Sequence, residues 1–435
     1  MRKIFFLLCV TMPCFAQQPT YYKDIAPIIA RACASCHRPG EAAPFSLLTY
    51  EDVSKRATFI KEVTQSRYMP PWKADPHYAR YANERLLQPG EIQLIADWVD
   101  AKMLKGNKTA TTAYPVTGTQ YHRPPDLTLK ALHSFSVKGD NTERFVVFRV
   151  PFSLKDSMNV AAVEFISSNK KVVHHVNYAV YDVAEDIDIN VGEDQLNVTD
   201  SERSRYDEYA PLRKNMRYYG GWIPGASFES YPADIGWVMP RRGVVLITVH
   251  YAATGRDEEE LCGINLFFRK EKIKRVASVI NVGSGGVGEK DIEPYFFIQP
   301  DTIKKFSLQI TTPHQDQSLL YVWPHMHLLG KTFKAWAVTP AGDTIPLVHI
   351  PEWDFKWQEI YKFRRAVKIP KGSVLTVEGV YDNTRANPAN PFNPPRVIYS
   401  SGDMKSVDEM LTLVMLFVPY EEGDEERLVF QEKIP

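Results

Sequence analysis

Two histidines two residues apart, His325 and His327, sit in the apolar run Tyr321-Val322-Trp323-Pro324-His325-Met326-His327-Leu328-Leu329-Gly330. If the run is a strand, side chains alternate between its faces, and both imidazoles point the same way. Two imidazoles on one face are a ready pair of metal ligands. A lone strand histidine is more often a satisfied core or surface residue, so the pair takes its meaning from the rest of the chain. His174 and His175 are adjacent in Val172-Val173-His174-His175-Val176-Asn177-Tyr178, and His250 ends an apolar stretch in Val249-His250-Tyr251. Neighbours in an ideal strand face opposite ways, so His174 and His175 reach one ion only where the strand twists or bulges.

A second chemistry lies near the N-terminus. Cys33-Ala34-Ser35-Cys36-His37 has the spacing of c-type haem attachment. Two thiols on one turn can each bond a haem vinyl group, and the next imidazole reaches the iron from one side. A redox dithiol and half of a zinc site share the cysteine spacing. The adjacent histidine, an export signal and the lack of a second cysteine pair argue against both. The other axial ligand is expected at Met69, in the Pro-rich loop Tyr68-Met69-Pro70-Pro71-Trp72. A thioether opposite imidazole raises the haem potential and suits electron transfer. His77 is the competing ligand, and core packing is the other role open to Met69.

These residues need elements to position them. Asp24 can cap a helix with Pro27 in its first turn, and Ile25, Ile28, Ile29 and Ala32 follow helical spacing into the cysteine motif. A closing helix is expected from Pro89, with Glu91 in its first turn and Ile92, Ile95, Trp98 and Val99 on one face. From Leu127 onward the pattern changes to short strands, at 144–150, 160–166, 172–181, 244–251, 264–268, 319–323, 333–338 and 374–380. Strands at this density indicate antiparallel sandwiches, and about 300 residues is comfortable for two.

Arg2 and Lys3, an apolar stretch over 4–12 and Cys14-Phe15-Ala16 read as an export signal cut after Ala16. A buried N-terminal helix is the alternative. The expected division is a signal peptide at 1–16, a small all-α domain at 20–104, a linker at 105–126, and antiparallel all-β sandwich domains at 127–272 and 273–435. Lys plus Arg equals Asp plus Glu, 52 each, so bulk charge argues for neither nucleic acid nor an anionic membrane. With Cys9 and Cys14 in the signal and Cys33 and Cys36 in the motif, Cys262 stands alone, and no structural disulfide is expected.

Residues 20–104 resemble a small class I cytochrome c domain. In chain order, His174-His175, His250-Tyr251, His325-x-His327 and Asp408-Glu409-Met410 resemble the copper type II, ascorbate-dependent monooxygenases. That family includes peptidylglycine α-hydroxylating monooxygenase and dopamine β-monooxygenase, and the resemblance covers roughly 127–420. It implies two jelly-roll-like sandwiches and two coppers. One copper, storing an electron, would be held by His174, His175 and His250. The other, meeting oxygen and substrate, would be held by the catalytic set His325, His327 and Met410. Imidazole suits both copper oxidation states and a thioether favours copper(I).

The chain departs from the amidating enzyme where that enzyme holds a peptide carboxylate: Trp323, Thr412 and Val414 stand at the clamp positions. A less polar small organic substrate is therefore expected. Cys262 occupies the place of one family disulfide cysteine, but its partner is missing, and Leu411 stands where the amidating enzyme has another cysteine. The haem segment is an addition, expected to relay electrons to the first copper or to replace ascorbate. The expected function is an exported monooxygenase of a bacterial periplasm or cell envelope, using O2, a small substrate, and either ascorbate or a redox partner protein as reductant. The reading from another class is a non-catalytic electron-transfer or copper-binding protein. The glycine-rich stretch 283–288 lacks the Lys-Ser or Lys-Thr of a phosphate loop and is read as a mobile loop.

Overall fold

The computed structural model describes residues 18–108, 121–199, 203–226, 228–232, 234–252, 254–312, 315–400 and 407–429. The expected export signal and most of the expected linker lie outside them.

The longer helices belong to the N-terminal segment: α1 (Ala26–Ala32), α2 (Tyr50–Ser54), α3 (Ala57–Gln65) and α4 (Pro89–Asp100). Ile25, Ile29, Val53, Ile60, Ile95 and Trp98 form their shared core. α4 starts as its sequence predicts, with Pro89 in the first turn and a capping box between Gln88 and Glu91. The first helix does not start at Asp24. A turn of π-helix, Tyr21–Ile25, precedes α1. Asp24 lies inside it, and its carboxylate accepts the Thr20 amide at 2.7 Å, so it caps by reaching back. The stretch from Trp72 to Tyr81 leaves the helical core altogether: Trp72, Ala74 and Tyr81 join the core of the last sheets, and the Tyr81 hydroxyl donates to the Leu347 carbonyl at 2.7 Å.

Among the described strands, the remainder is built from antiparallel sheets apart from one short parallel pairing between Arg275–Val276 and Ile235–Met239. A five-stranded sheet runs in the order Gln195–Asn197, Arg144–Ser153, Arg242–Tyr251, Val173–Asp182, Met216–Trp222. It faces a six-stranded sheet centred on Cys262–Arg269 and Met158–Ser167. Alternating inward residues fill the space between them, among them Phe148, Phe165, Val176, Ile247 and Ile264. Burying a phenylalanine such as Phe148 or Phe165 contributes about 1.5–3 kcal/mol. Two four-stranded sheets follow. One contains Ser278–Gly283, Thr412–Pro419, Gln317–His325 and Tyr361–Ile369; the other contains Ile303–Thr311, Val374–Asp382, Gly330–Val338 and Thr344–Ile350. Each expected strand lies within or within one residue of an observed one, so short apolar runs rich in β-forming residues were a sound guide.

The two sandwich-like pairs are not separated by water. Leu320, Tyr321, Trp323, Val414 and Leu416 of the second pair belong to the same apolar cluster as the first. The Trp323 ring lies so close to Gly221 that a Cβ there would stand 2.4 Å from it. Cys262 is a buried thiol. The glycine-rich stretch is a hydrogen-bonded turn, with Gly283 donating to Val287 at 2.8 Å, and its Ser284 hydroxyl accepts the Leu411 amide at 3.1 Å. Among the described residues, no helix is long and apolar enough to cross a membrane.

Candidate metal centre

His174, His175 and His250 meet at one end of the five-stranded sheet. His250 is opposite His175, but the next pair is Tyr251 with Val173. His174 is thus the extra residue of a β-bulge. The bulge turns two sequence neighbours toward one point, meeting the condition that an ideal strand forbids.

The ring nitrogens of this set are sorted. His174 Nδ1 lies 3.0 Å from His250 Nδ1, and His250 Nδ1 lies 3.4 Å from His175 Nδ1. On their far sides, His174 Nε2 is 3.1 Å from the Lys356 carbonyl and His250 Nε2 is 3.3 Å from a Glu143 carboxylate oxygen. Both acceptors draw the ring proton outward, which leaves Nδ1 lone pairs turned inward. Converging lone pairs repel one another unless a cation sits among them. One ligand atom from each residue lies within 4.8 Å of the others, close enough for one ion.

His325 and His327 also converge, though not by strand alternation. The strand ends at His325, and His327 follows in a turn. The buried Glu409 carboxyl group fixes that turn, accepting the amides of His327 at 2.9 Å and Leu329 at 2.6 Å. Here the facing atoms are the two Nε2, 3.2 Å apart. The outward Nδ1 atoms meet the Gln358 side-chain oxygen at 2.6 Å and the Asp408 carbonyl at 2.9 Å. Asp408 and Glu409 thereby bring the backbone of Met410 beside His327, while the Tyr381 hydroxyl holds the Met410 carbonyl at 2.6 Å.

Electrostatics keep these rings ready for a cation. Burial, with His250 second, lowers His174 to about 4. Burial holds His175 well below its ordinary value and brings His325 to about 4 against the raising effect of Gln358. All three are neutral imidazoles at neutral pH, the form that ligates metal. Burial pushes Glu409 up to about 8 despite its amide donors. The two sets touch: the ring centroids of His175 and His325 are 6.1 Å apart. Phe355 sits among them, 5.7 Å from each of His174, His250 and His327.

In the cysteine motif, Cys33 and Cys36 are free thiols. Burial and the neighbouring Cys36 push Cys33 up to about 12, and burial also raises Cys36. A redox dithiol works through a depressed thiol pKa, so this environment disfavours that role. His37 Nδ1 is 3.1 Å from the Phe45 carbonyl, which commits that nitrogen and turns Nε2 away for another partner. Two thiols beside an imidazole in this tautomer fit covalent haem. Met69 is half-buried in the loop after α3, its amide donating to the Val63 carbonyl at 3.0 Å. The preceding Tyr68 ring meets Trp357 edge-on at 6.1 Å. His77 is exposed.

Several residues of the site carry no signal in the sequence. Glu143, Lys356, Gln358 and Phe355 act on the histidines from loops far away along the chain. Asp408 and Glu409, by contrast, stand beside a candidate, in Asp408-Glu409-Met410.

No protein-family model matches the chain, and no curated protein matches it. Solved structures give remote likenesses. A structure of allantoicase is 11% identical, with 57% of this chain and 81% of that one covered and a TM-score of 0.17. Particles derived from infectious bursal virus are 11% identical, with 71% and 83% covered and a TM-score of 0.16.

Proposed function

We propose that this chain is an exported, haem- and copper-dependent monooxygenase of a bacterial periplasm or cell envelope, hydroxylating a C–H bond of a small organic substrate with dioxygen. Its architecture on this reading is a cytochrome c domain followed by two jelly-roll-like sandwiches. The observation that carries the proposal is the convergence of inner ring nitrogens in two sets that touch, with the outer nitrogens of His174, His250, His325 and His327 already spent on oxygen acceptors.

His174, His175 and His250 would hold one copper through Nδ1. His325 and His327 would hold the other through Nε2, with Met410 beside them as thioether. Cys33 and Cys36 would bond the haem and His37 its iron, with Met69 opposite. Bound copper supplies one-electron chemistry toward dioxygen, and haem supplies one-electron storage. The chain's own part is to keep the imidazoles neutral, fix their tautomers and limit water. Trp323, Thr412 and Val414 are buried, with Thr412 donating to the Ser284 carbonyl at 3.0 Å. None offers a charge to a substrate carboxylate, which favours a less polar substrate. Electrons would come from ascorbate or a redox partner protein.

Copper per haem in haem-loaded protein, with His325→Ala alongside, tests the proposal. Two coppers falling to one in the variant is the expected result. One copper or none, unchanged by the substitution, would leave an electron-transfer or copper-binding protein.

A further inference from the structure

We propose that the three-histidine set receives its electrons from within the same chain, across a fixed contact between Cys36 and Gly225. This rests on the reading of Cys33–Cys36–His37 as a haem site and His174–His175–His250 as a copper site. It deepens the expectation that the haem segment relays electrons to the first copper by assigning the route.

Gly225 has φ +85°, and a Cβ built on it would lie 2.5 Å from Cys36 Sγ and 2.9 Å from an Arg85 guanidinium nitrogen. The backbone is therefore seated on the sulfur that would carry the haem, at a distance and a conformation that only glycine allows. The two preceding residues, Ile223 and Pro224, line one cavity with His174 and His175, and Pro71 and Arg85 of the N-terminal segment close it. The strand just before them, Met216–Trp222, is hydrogen-bonded to the strand bearing the histidines, with Trp222 opposite Val176. From Cys36, the path to the first histidine set runs over Gly225 and its two preceding residues and across the small cavity they share with His174 and His175.

The contact is clamped. Lys170, in the turn before His174, pairs with Glu41 at 3.1 Å, and Arg38 pairs with the same carboxylate at 3.2 Å, all three side chains being largely buried. Arg85 pairs with Glu359, and Asn83 donates to the Ile360 carbonyl at 2.8 Å. Buried charges with fixed partners hold register because breaking any pair leaves a charge uncompensated. Together with Trp72 and Tyr81 in the core of the last sheets, they make the N-terminal segment a docked part of the molecule rather than a tethered carrier. The step is simple to balance: ferrous haem loses one electron, a cupric ion gains it, and no bond or proton moves. A soluble one-electron reductant then restores the ferrous haem.

The test uses the full chain loaded with haem and copper(II). Flash photoreduction of the haem under anaerobic conditions is followed by the decay of ferrous absorbance at several protein concentrations, with the cupric EPR signal measured afterward. A first-order decay whose rate does not change with protein concentration is expected, with matching loss of cupric signal. It should survive His325→Ala, vanish in His175→Ala, and slow in Gly225→Val. A decay rate that climbs with concentration, or one that survives His175→Ala and vanishes in His325→Ala, overturns the inference. The concentration series needs no variant, so a Gly225→Val protein that fails to fold does not spare it. A protein whose metal content shows no copper or no haem overturns the underlying reading and this one with it. A protein holding both without the expected decay overturns this one alone.

Discussion

Replacing Gln358 by leucine should empty the second histidine set of its ion at copper concentrations that still fill the first. The Gln358 side-chain oxygen takes the outward nitrogen of His325 at 2.6 Å, and the side chain is buried, with its amide donating to the Phe355 carbonyl at 3.2 Å. Leucine preserves much of the volume and removes the acceptor. The buried N–H is then unsatisfied, a cost of about 1–3 kcal/mol, and the ring can escape it only by the tautomer that spoils Nε2 as a ligand. At about 1.4 kcal/mol per tenfold, the loss corresponds to roughly 5- to 150-fold in metal affinity. That range overlaps the roughly 10- to 100-fold seen when outer-shell partners of metal histidines are removed. The assay is copper titration against a competing chelator, with the tighter site as internal control and circular dichroism confirming the fold. Gln358→Glu keeps an oxygen acceptor and should restore most of the affinity. A leucine variant that is folded and binds both ions like the parent would show that Gln358 does not position His325.

Met410→Leu should abolish oxygen consumption while the first site keeps its copper, because leucine fills the space but has no lone pair; unchanged oxygen uptake would remove Met410 from the ligand set. Asp424→Asn should lower stability in urea unfolding by up to about 3 kcal/mol, since it removes the nearest counter-charge of a buried guanidinium and leaves it the Pro419 carbonyl at 3.0 Å and Glu421 at 3.7 Å: Asp424 holds Arg275 at 2.5 Å and accepts the Ser318 hydroxyl at 2.5 Å. Burial raises this carboxyl, but Arg275 and Ser318 outweigh it and the net position is below the ordinary value. Its stabilisation is therefore complete above the unfolded carboxyl's pKa of about 3.9 and is lost as pH falls through the lower folded value. The difference between parent and variant should shrink only in that acid range, and a difference constant from neutral pH down to acid would refute the assignment.

What the sequence made legible was periodic or local. Strands such as Val173–Asp182 and Gln317–His325 announced themselves as short apolar runs rich in β-branched and aromatic residues, and α4 by its proline and capping glutamate. The cysteine motif is five contiguous residues. The pairing of His325 with His327 was legible too, but for a different physical reason than the one operating. Alternation in a strand would suffice, whereas the chain ends the strand at His325 and uses the Glu409 carboxyl group to shape a turn. The bulge at His174 could be stated only as a condition, because register belongs to the partner strand and not to the segment itself. Asp24 misled for a related reason: an acidic residue near a helix start can cap forward or reach back, and only the path of the preceding residues decides.

The outer partners of the histidines were invisible for a deeper reason. Lys356, Gln358 and Phe355 lie on one loop between the strands Thr344–Ile350 and Tyr361–Ile369. That loop touches both histidine sets, and Glu359 beside it pairs with Arg85 of the N-terminal segment. Lys356 acts through a carbonyl, which any residue possesses, so no side-chain pattern can report it. Gln358 and Phe355 are ordinary residues for a loop until the sheets are docked. The docking depends on Trp323 lying against Gly221, which seats one sandwich-like pair on the other and carries the histidine-bearing strand ends to the same place. A substituent on Gly221 would wedge the pairs apart without touching any ligand. Metal affinity at both sets should therefore respond to this packing contact, and the contact is a property of the assembled sheets rather than of any motif.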